Sequence, residues 1–106
     1  MSDVQVNDMS AGTSASDWLK REFTIVNQRG LHARASAKFV QTVENHDAEV
    51  EVAKDGITVG GTSIMGLMML AASPGCSIHV SASGREAEAL LDALEALVAS
   101  RFGEEC

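Results

Sequence analysis

The chain has 106 residues, of which 45% are hydrophobic, and a formal net charge of −7. That length suits one domain around a single small core. The acidic balance argues against a nucleic-acid partner, which needs cations to displace counterions from phosphates, and no run approaches the roughly 18 apolar residues of a membrane span. The N-terminus shows no apolar stretch behind a basic start, so no secretory signal is visible. Cys76 and Cys106 lie far apart. They suggest neither a disulfide framework nor a zinc spacing, and a reduced, cytoplasmic protein without cofactor is the plain reading.

Residues 1 to 20 are polar, rich in small side chains and aperiodic, as in MSDVQVNDMSAGTSAS. They read as a disordered tail ahead of a domain over 21 to 106, with Trp18 as an aromatic able to dock on it. FTIVN (23 to 27) is rich in β-branched and aromatic residues and predicts a strand. Gln28, Arg29 and Gly30 make a turn. From Ala33 to about Glu44 the positions Ala33, Ala37, Val40 and Val43 recur at helical spacing, widened by Phe39. EVEVA (49 to 53) alternates, so Val50 and Val52 point inward from a second strand. KDG turns the chain and ITV (57 to 59) returns as its hairpin partner. Ser63 stands as N-cap before a short apolar helix, IMGLMMLAA, and SPG breaks the chain after it. CSIHVSA (76 to 82) alternates again, placing Ile78, Val80 and Ala82 on one face. The last segment carries the helical stripe Ala87, Leu90, Leu91, Leu94, Leu97 and Val98. Glu86 and Glu88 at its start and Arg101 near its end suit the macrodipole.

The order β-α-β-β-α-β-α predicts an α+β fold: an open-faced two-layer β-sandwich, with a four-stranded antiparallel sheet covered on one face by three helices.

Five of the eight basic residues fall between positions 20 and 38: Lys20, Arg21, Arg29, Arg34 and Lys38. They form a candidate positive patch around His32, which sits where a helix begins. A helix N-terminus presents backbone N–H groups without intrahelical partners, and partial positive charge. Phosphate is a natural guest there. Arg34 in the first turn can add charge-assisted bonds. A neutral imidazole in that position is also a nucleophile. His32 is therefore either a capping side chain or a group that itself takes a phosphoryl. His46 and His79 share no motif with it, so no metal site is expected.

Three stretches carry a resemblance that separates these alternatives. GLHARASAKFV (30 to 40) resembles the active-site segment of the histidine-containing phosphocarrier (HPr) family of the bacterial phosphotransferase system, which shows a GLHARPA-like motif. GTSIMGLMMLAASPG (61 to 75) is similar to that family's regulatory-serine helix, and VSASG (80 to 84) to the segment before its last helix. The resemblance spans about residues 21 to 104. It implies that His32 is phosphorylated on Nδ1 by the phosphohistidine of enzyme I, which draws on phosphoenolpyruvate. It implies next that the group passes to an enzyme IIA, and that Arg34 stabilises it meanwhile.

Ser63 matches the serine that an ATP-dependent HPr kinase/phosphorylase modifies in some members. Ile64, Met65 and Met68 would form an adaptable docking patch beside it, with Leu67 and Leu70 turned to the core. One departure is Ala35, where the family usually has proline. The expected protein is a monomeric phosphoryl carrier rather than an enzyme with turnover of its own. A nitrogen-related or purely regulatory relay, or a binding module that never carries phosphate, are the alternatives.

Overall fold

The computed structural model describes residues 18–104; residues 1 to 17 of the expected tail lie outside the described residues. The first strand, β1, spans Leu19–Thr24, earlier than the 23 to 27 expected. Lys20 and Glu22 disguise it, because they fall on the open face, while Phe23 is buried beneath the helices. Arg21 shares Phe23's face, and its guanidinium reaches Asp92 at 2.7 Å and Glu95 at 2.9 Å. Regular pairing stops beyond Thr24. Ile25 still donates to Cys76 O and accepts from Gly75 N, both at 2.8 Å. Asn27 then turns inward and is fully buried.

Helix α1 spans Ala33–Glu44, as its periodicity predicts, but its buried face is Ala35, Ser36, Phe39, Val40 and Val43. Ala33 and Ala37 face solvent. Small side chains gain little from burial, so the heavier Phe39 sets the rotation of the helix. Strands β2 (Glu49–Lys54) and β3 (Ile57–Gly60) form the hairpin. Its two-residue loop has positive φ at both Asp55 (53°) and Gly56 (82°), the twist that matches paired strands.

Helix α2 covers Ile64–Met69, shorter than the nine-residue run IMGLMMLAA suggests. Ala71 enters the left-handed region at φ 54° and ends the helix, leaving the Ala72 carbonyl to accept from Leu31 N at 3.0 Å. Strand β4 (Ser77–Ser83) follows, then α3 (Ala87–Ala99). Arg101 lies beyond the end of α3, in a turn over Arg101–Gly103. Glu86 sits just ahead of α3 and accepts from Asp47 N at 2.6 Å.

The sheet order is β1-β4-β2-β3, with each neighbouring pair antiparallel. Helices cover one face, so the expected open-faced two-layer architecture is the observed one. The core joins Val52, Ile78 and Val80 from the sheet to Phe39, Leu67, Leu90 and Leu94 from the helices. Trp18, half-buried, lines a cleft of about 290 Å³ with Val43, Ala48 and Val50, at the end of α1 away from His32.

Phe39 is wholly buried, between α1 and the sheet. Phe39→Ala should lower unfolding stability by about 3–5 kcal/mol, read as a fall in the urea midpoint at constant slope.

Candidate functional site

The loop from Asn27 to Leu31 decides where His32 stands. Gly30 has φ 64°, and a Cβ on it would lie 2.1 Å from the Ala72 carbonyl oxygen. Only glycine permits both the left-handed turn and that approach. The next amide, Leu31 N–H, bonds that same oxygen. Ser36 is buried and donates to Leu31 O at 3.0 Å, fixing the loop to the first turn of α1.

His32 is the N-cap of α1 in extended backbone conformation. Its Nδ1 accepts from the backbone N–H of Arg34 at 3.3 Å, and its carbonyl accepts from Ser36 N at 2.8 Å. Its Nε2 pairs with the carboxylate of Glu104. The side chain keeps 24% of its surface open. Arg34 is exposed, and its guanidinium pairs with no carboxylate among the described residues.

Glu104 and Asn27 did not stand out in the sequence. Asn27 donates through Nδ2 to Gly30 O at 2.9 Å and to Glu104 Oε1 at 3.1 Å. Both neighbours are acceptors, so the amide orientation is fixed; its Oδ1 finds no donor among the described residues. Glu104 arrives by an unusual route. Arg101, Phe102 and Gly103 all have positive φ, at 61°, 55° and 75°. Two of them are not glycine, which costs about 1–2 kcal/mol each. Phe102 is buried, an offset of roughly 1.5–3 kcal/mol. Lys38 also clamps the turn, donating to Phe102 O at 2.6 Å. The signal available in the sequence was an aromatic residue placed beside a glycine in an otherwise charged terminus.

The bond from His32 holds the Glu104 carboxyl below the usual carboxylate range, helped by the Asn27 amide and by Arg29 nearby, against some desolvation. An ionised carboxylate at Nε2 and an amide donor at Nδ1 together assign the ring: proton on Nε2, lone pair on Nδ1.

The second motif folds as its sequence predicts at the start. Ser63 is exposed and caps α2, its Oγ accepting from Gly66 N at 2.9 Å. A Cβ on Gly66 would approach that Oγ to 2.9 Å and Val59 Cβ to 3.0 Å, so glycine lets the helix start close to β3. Leu67 and Leu70 are buried, while Ile64, Met65 and Met68 are exposed. Met69, part of a run expected to lie partly in the core, is 71% exposed. The basic cluster divides: Lys20 lies on the open face of the sheet, Arg21 is committed to α3 and Lys38 to the C-terminal turn, leaving Arg29 and Arg34 near the imidazole. His79 faces the open side of the sheet, and His46 bonds Thr42 O at 2.8 Å. Among the described residues no cluster of three or more His, Cys, Asp or Glu could hold a metal. No helix there is long and apolar enough to cross a membrane.

A family profile described as PTS HPr component phosphorylation site matches residues 19–100. The chain belongs to the HPr family. It is 46% identical over 86 residues to the phosphocarrier protein HPr of Cupriavidus necator, covering 81% of this chain and 97% of that one. It is 38% identical over 86 residues to the phosphocarrier protein NPr of Shewanella violacea, covering 81% and 94%. The crystal structure of an HPr from Thermoanaerobacter tengcongensis superposes with a TM-score of 0.78 at 41% identity, covering 83% of this chain and 99% of that one. Proteins of the HPr family act with the enzymes of the phosphotransferase system, and membership places this chain among its phosphocarriers.

A carboxyl held low in the folded state stabilises the fold fully above the roughly 4.3 of an unfolded glutamate, and that contribution is lost as pH falls through the lower folded value. A carboxyl-carbon NMR titration of Glu104 should therefore give a midpoint below that of an ordinary glutamate. In Glu104→Gln the acid limb of the stability curve should flatten over that interval.

Proposed function

We propose that His32 is the phosphoryl-carrying residue of this HPr-family chain, accepting from the phosphohistidine of enzyme I and donating to enzyme IIA. The observation that supports this reading best is the ring's setting. Nδ1 carries the lone pair at the N-terminus of α1, on a side chain still open to solvent. In transfer, the lone pair on Nδ1 attacks phosphorus, and the P–N bond of the donor breaks with its electron pair returning to the donor imidazole. The amide of Arg34 is placed to donate to a phosphoryl oxygen, and its guanidinium can swing over the group. The helix end adds about 0.3–1 kcal/mol. Stabilisation of that size suits a group that must leave again.

Ala35 is fully buried in the first turn of α1. It can fill the place of the family's usual proline without removing His32 or Arg34 from the turn. Ile64, Met65 and Met68, with Met69, form the proposed docking face for partner enzymes. Phosphate on Ser63, added by a kinase of the HPr kinase/phosphorylase kind, would put charge beside that face and disfavour docking by desolvation. A cytoplasmic monomer is the state in which this exchange of partners works. A carrier in a nitrogen-related relay is the second reading, favoured by the similarity to a protein named NPr.

Incubated with phosphoenolpyruvate and enzyme I, the protein should gain one acid-labile phosphate by intact mass. His32→Ala should gain none, and labelling of that variant would overturn the assignment. Ser63→Asp should slow phosphoryl transfer from enzyme I by about tenfold or more, a cost of roughly 1.4 kcal/mol in docking or approach. An unchanged rate would remove the regulatory role of Ser63.

A further inference from the structure

The Glu104 carboxylate contributes to neither motif, yet it is built into the site. A run of left-handed residues, a buried phenylalanine and a lysine clamp deliver it to Nε2 of His32. A buried asparagine holds its other oxygen. Its side chain keeps only 13% of its surface open. A polar side chain ordered by so many contacts beside a nucleophilic ring has a chemical consequence.

We propose that Glu104 is a positioning and charge-balancing residue for phosphoryl transfer at His32, holding the proton on Nε2 both before and after Nδ1 takes the phosphoryl group. The inference rests on the carrier reading of His32. Before transfer, the carboxylate selects the tautomer whose lone pair lies on Nδ1. During transfer from a phosphorylated protein histidine, a P–N bond forms at Nδ1 and the donor's P–N bond breaks. The donor ring, protonated on its far nitrogen, leaves as neutral imidazole. The His32 ring keeps its Nε2 proton and becomes a phosphoimidazolium cation, and Glu104 balances that charge at hydrogen-bond distance.

The same pairing governs release. An N-phosphoryl imidazole with a neutral ring is a poor donor, because its leaving group would be an imidazolate. With Nε2 protonated, the leaving group is neutral imidazole. Glu104 therefore keeps the phosphoryl group transferable at pH values where an unpaired phosphorylated ring would lose its proton. Besides the ring, the charged group that acts on this carboxylate is a cation, Arg29 from the loop. Arg34 follows two positions after His32 in the first turn of α1, and the Lys38 ammonium is held by Phe102 O, so the charged side chains nearby are positive. They favour the carboxylate and oppose a ring cation, so Glu104 is the group that reverses the local balance. Asn27 is neutral and aims the carboxylate.

Glu104→Gln keeps the length and the acceptor but removes the charge. After phosphorylation by enzyme I, the rate of phosphate loss should be followed against pH for both proteins. The wild-type profile should fall off at a midpoint about one pH unit higher than that of the variant, so that the variant releases phosphate about fivefold more slowly at the wild-type midpoint, approaching about tenfold above it. Asn27→Ala, which loosens the carboxylate without removing it, should shift the midpoint in the same direction by less. In the unphosphorylated protein, imidazole nitrogen shifts should report an Nε2–H tautomer that declines in Glu104→Gln. A residue that merely tied down the C-terminal turn would change stability and leave profile and tautomer alone. Coincident pH profiles, with both proteins taking the phosphate normally, would overturn the role of Glu104 and leave the carrier reading intact. Failure of the wild-type protein to take any acid-labile phosphate would overturn both.

Discussion

The bond from the amide of Leu31 to the carbonyl of Ala72 joins the two stretches of sequence that matter most. One ends in His32; the other begins with Ser63. The contact is possible because Gly30 has no side chain to strike that oxygen, and because α2 ends early enough to leave the carbonyl unused. A longer α2 would have drawn Ala72 into its own hydrogen-bond ladder. The shortness of this helix is therefore tied to the placement of the imidazole. Ser36 and Asn27 complete the loop from either side, each buried and each bonded to a backbone carbonyl of it.

Charge in the site is modest by construction. Five basic residues cluster in the sequence, but Lys20 lies on the open face of the sheet, Arg21 meets two carboxylates of α3 and Lys38 closes on a backbone carbonyl. Arg29 and Arg34 remain, opposed by Glu104. A pocket built to trap phosphate would concentrate donors and exclude water. Here the ring sits at a helix end that stays partly wet, with a single anion held close behind it. That balance fits an intermediate that must receive and surrender the same group.

Much of this was legible in the sequence. Alternation located β2 and β4, a leucine stripe located α3, and the Asp-Gly pair located the hairpin turn. Ser63 announced its cap. What escaped did so for identifiable reasons. The start of β1 was hidden because an arginine lies on its inner face, where it pairs with α3, and such a partner is visible only in three dimensions. The rotation of α1 was misjudged because alanines were counted equally with Phe39, which alone fills a large volume. Ala71 adopts a conformation that its side chain does not advertise, so α2 looked longer than it is. Met69 followed the pattern of a core residue but lies on the outer face of α2, between the buried Leu67 and Leu70. Asn27 and Glu104 were missed because they are 77 positions apart and meet only after the chain has closed on itself.

The sheet order has a consequence for synthesis. Leu19 pairs with Ala82 and Thr24 with Ser77, so the strand that leaves the ribosome first finds its neighbour only when almost the whole domain has emerged. The β2–β3 hairpin and α1 can form from nearby residues, whereas β1 must wait with a free edge until β4 is made. The domain therefore closes late, and translation of its final third determines when the first strand is sheltered.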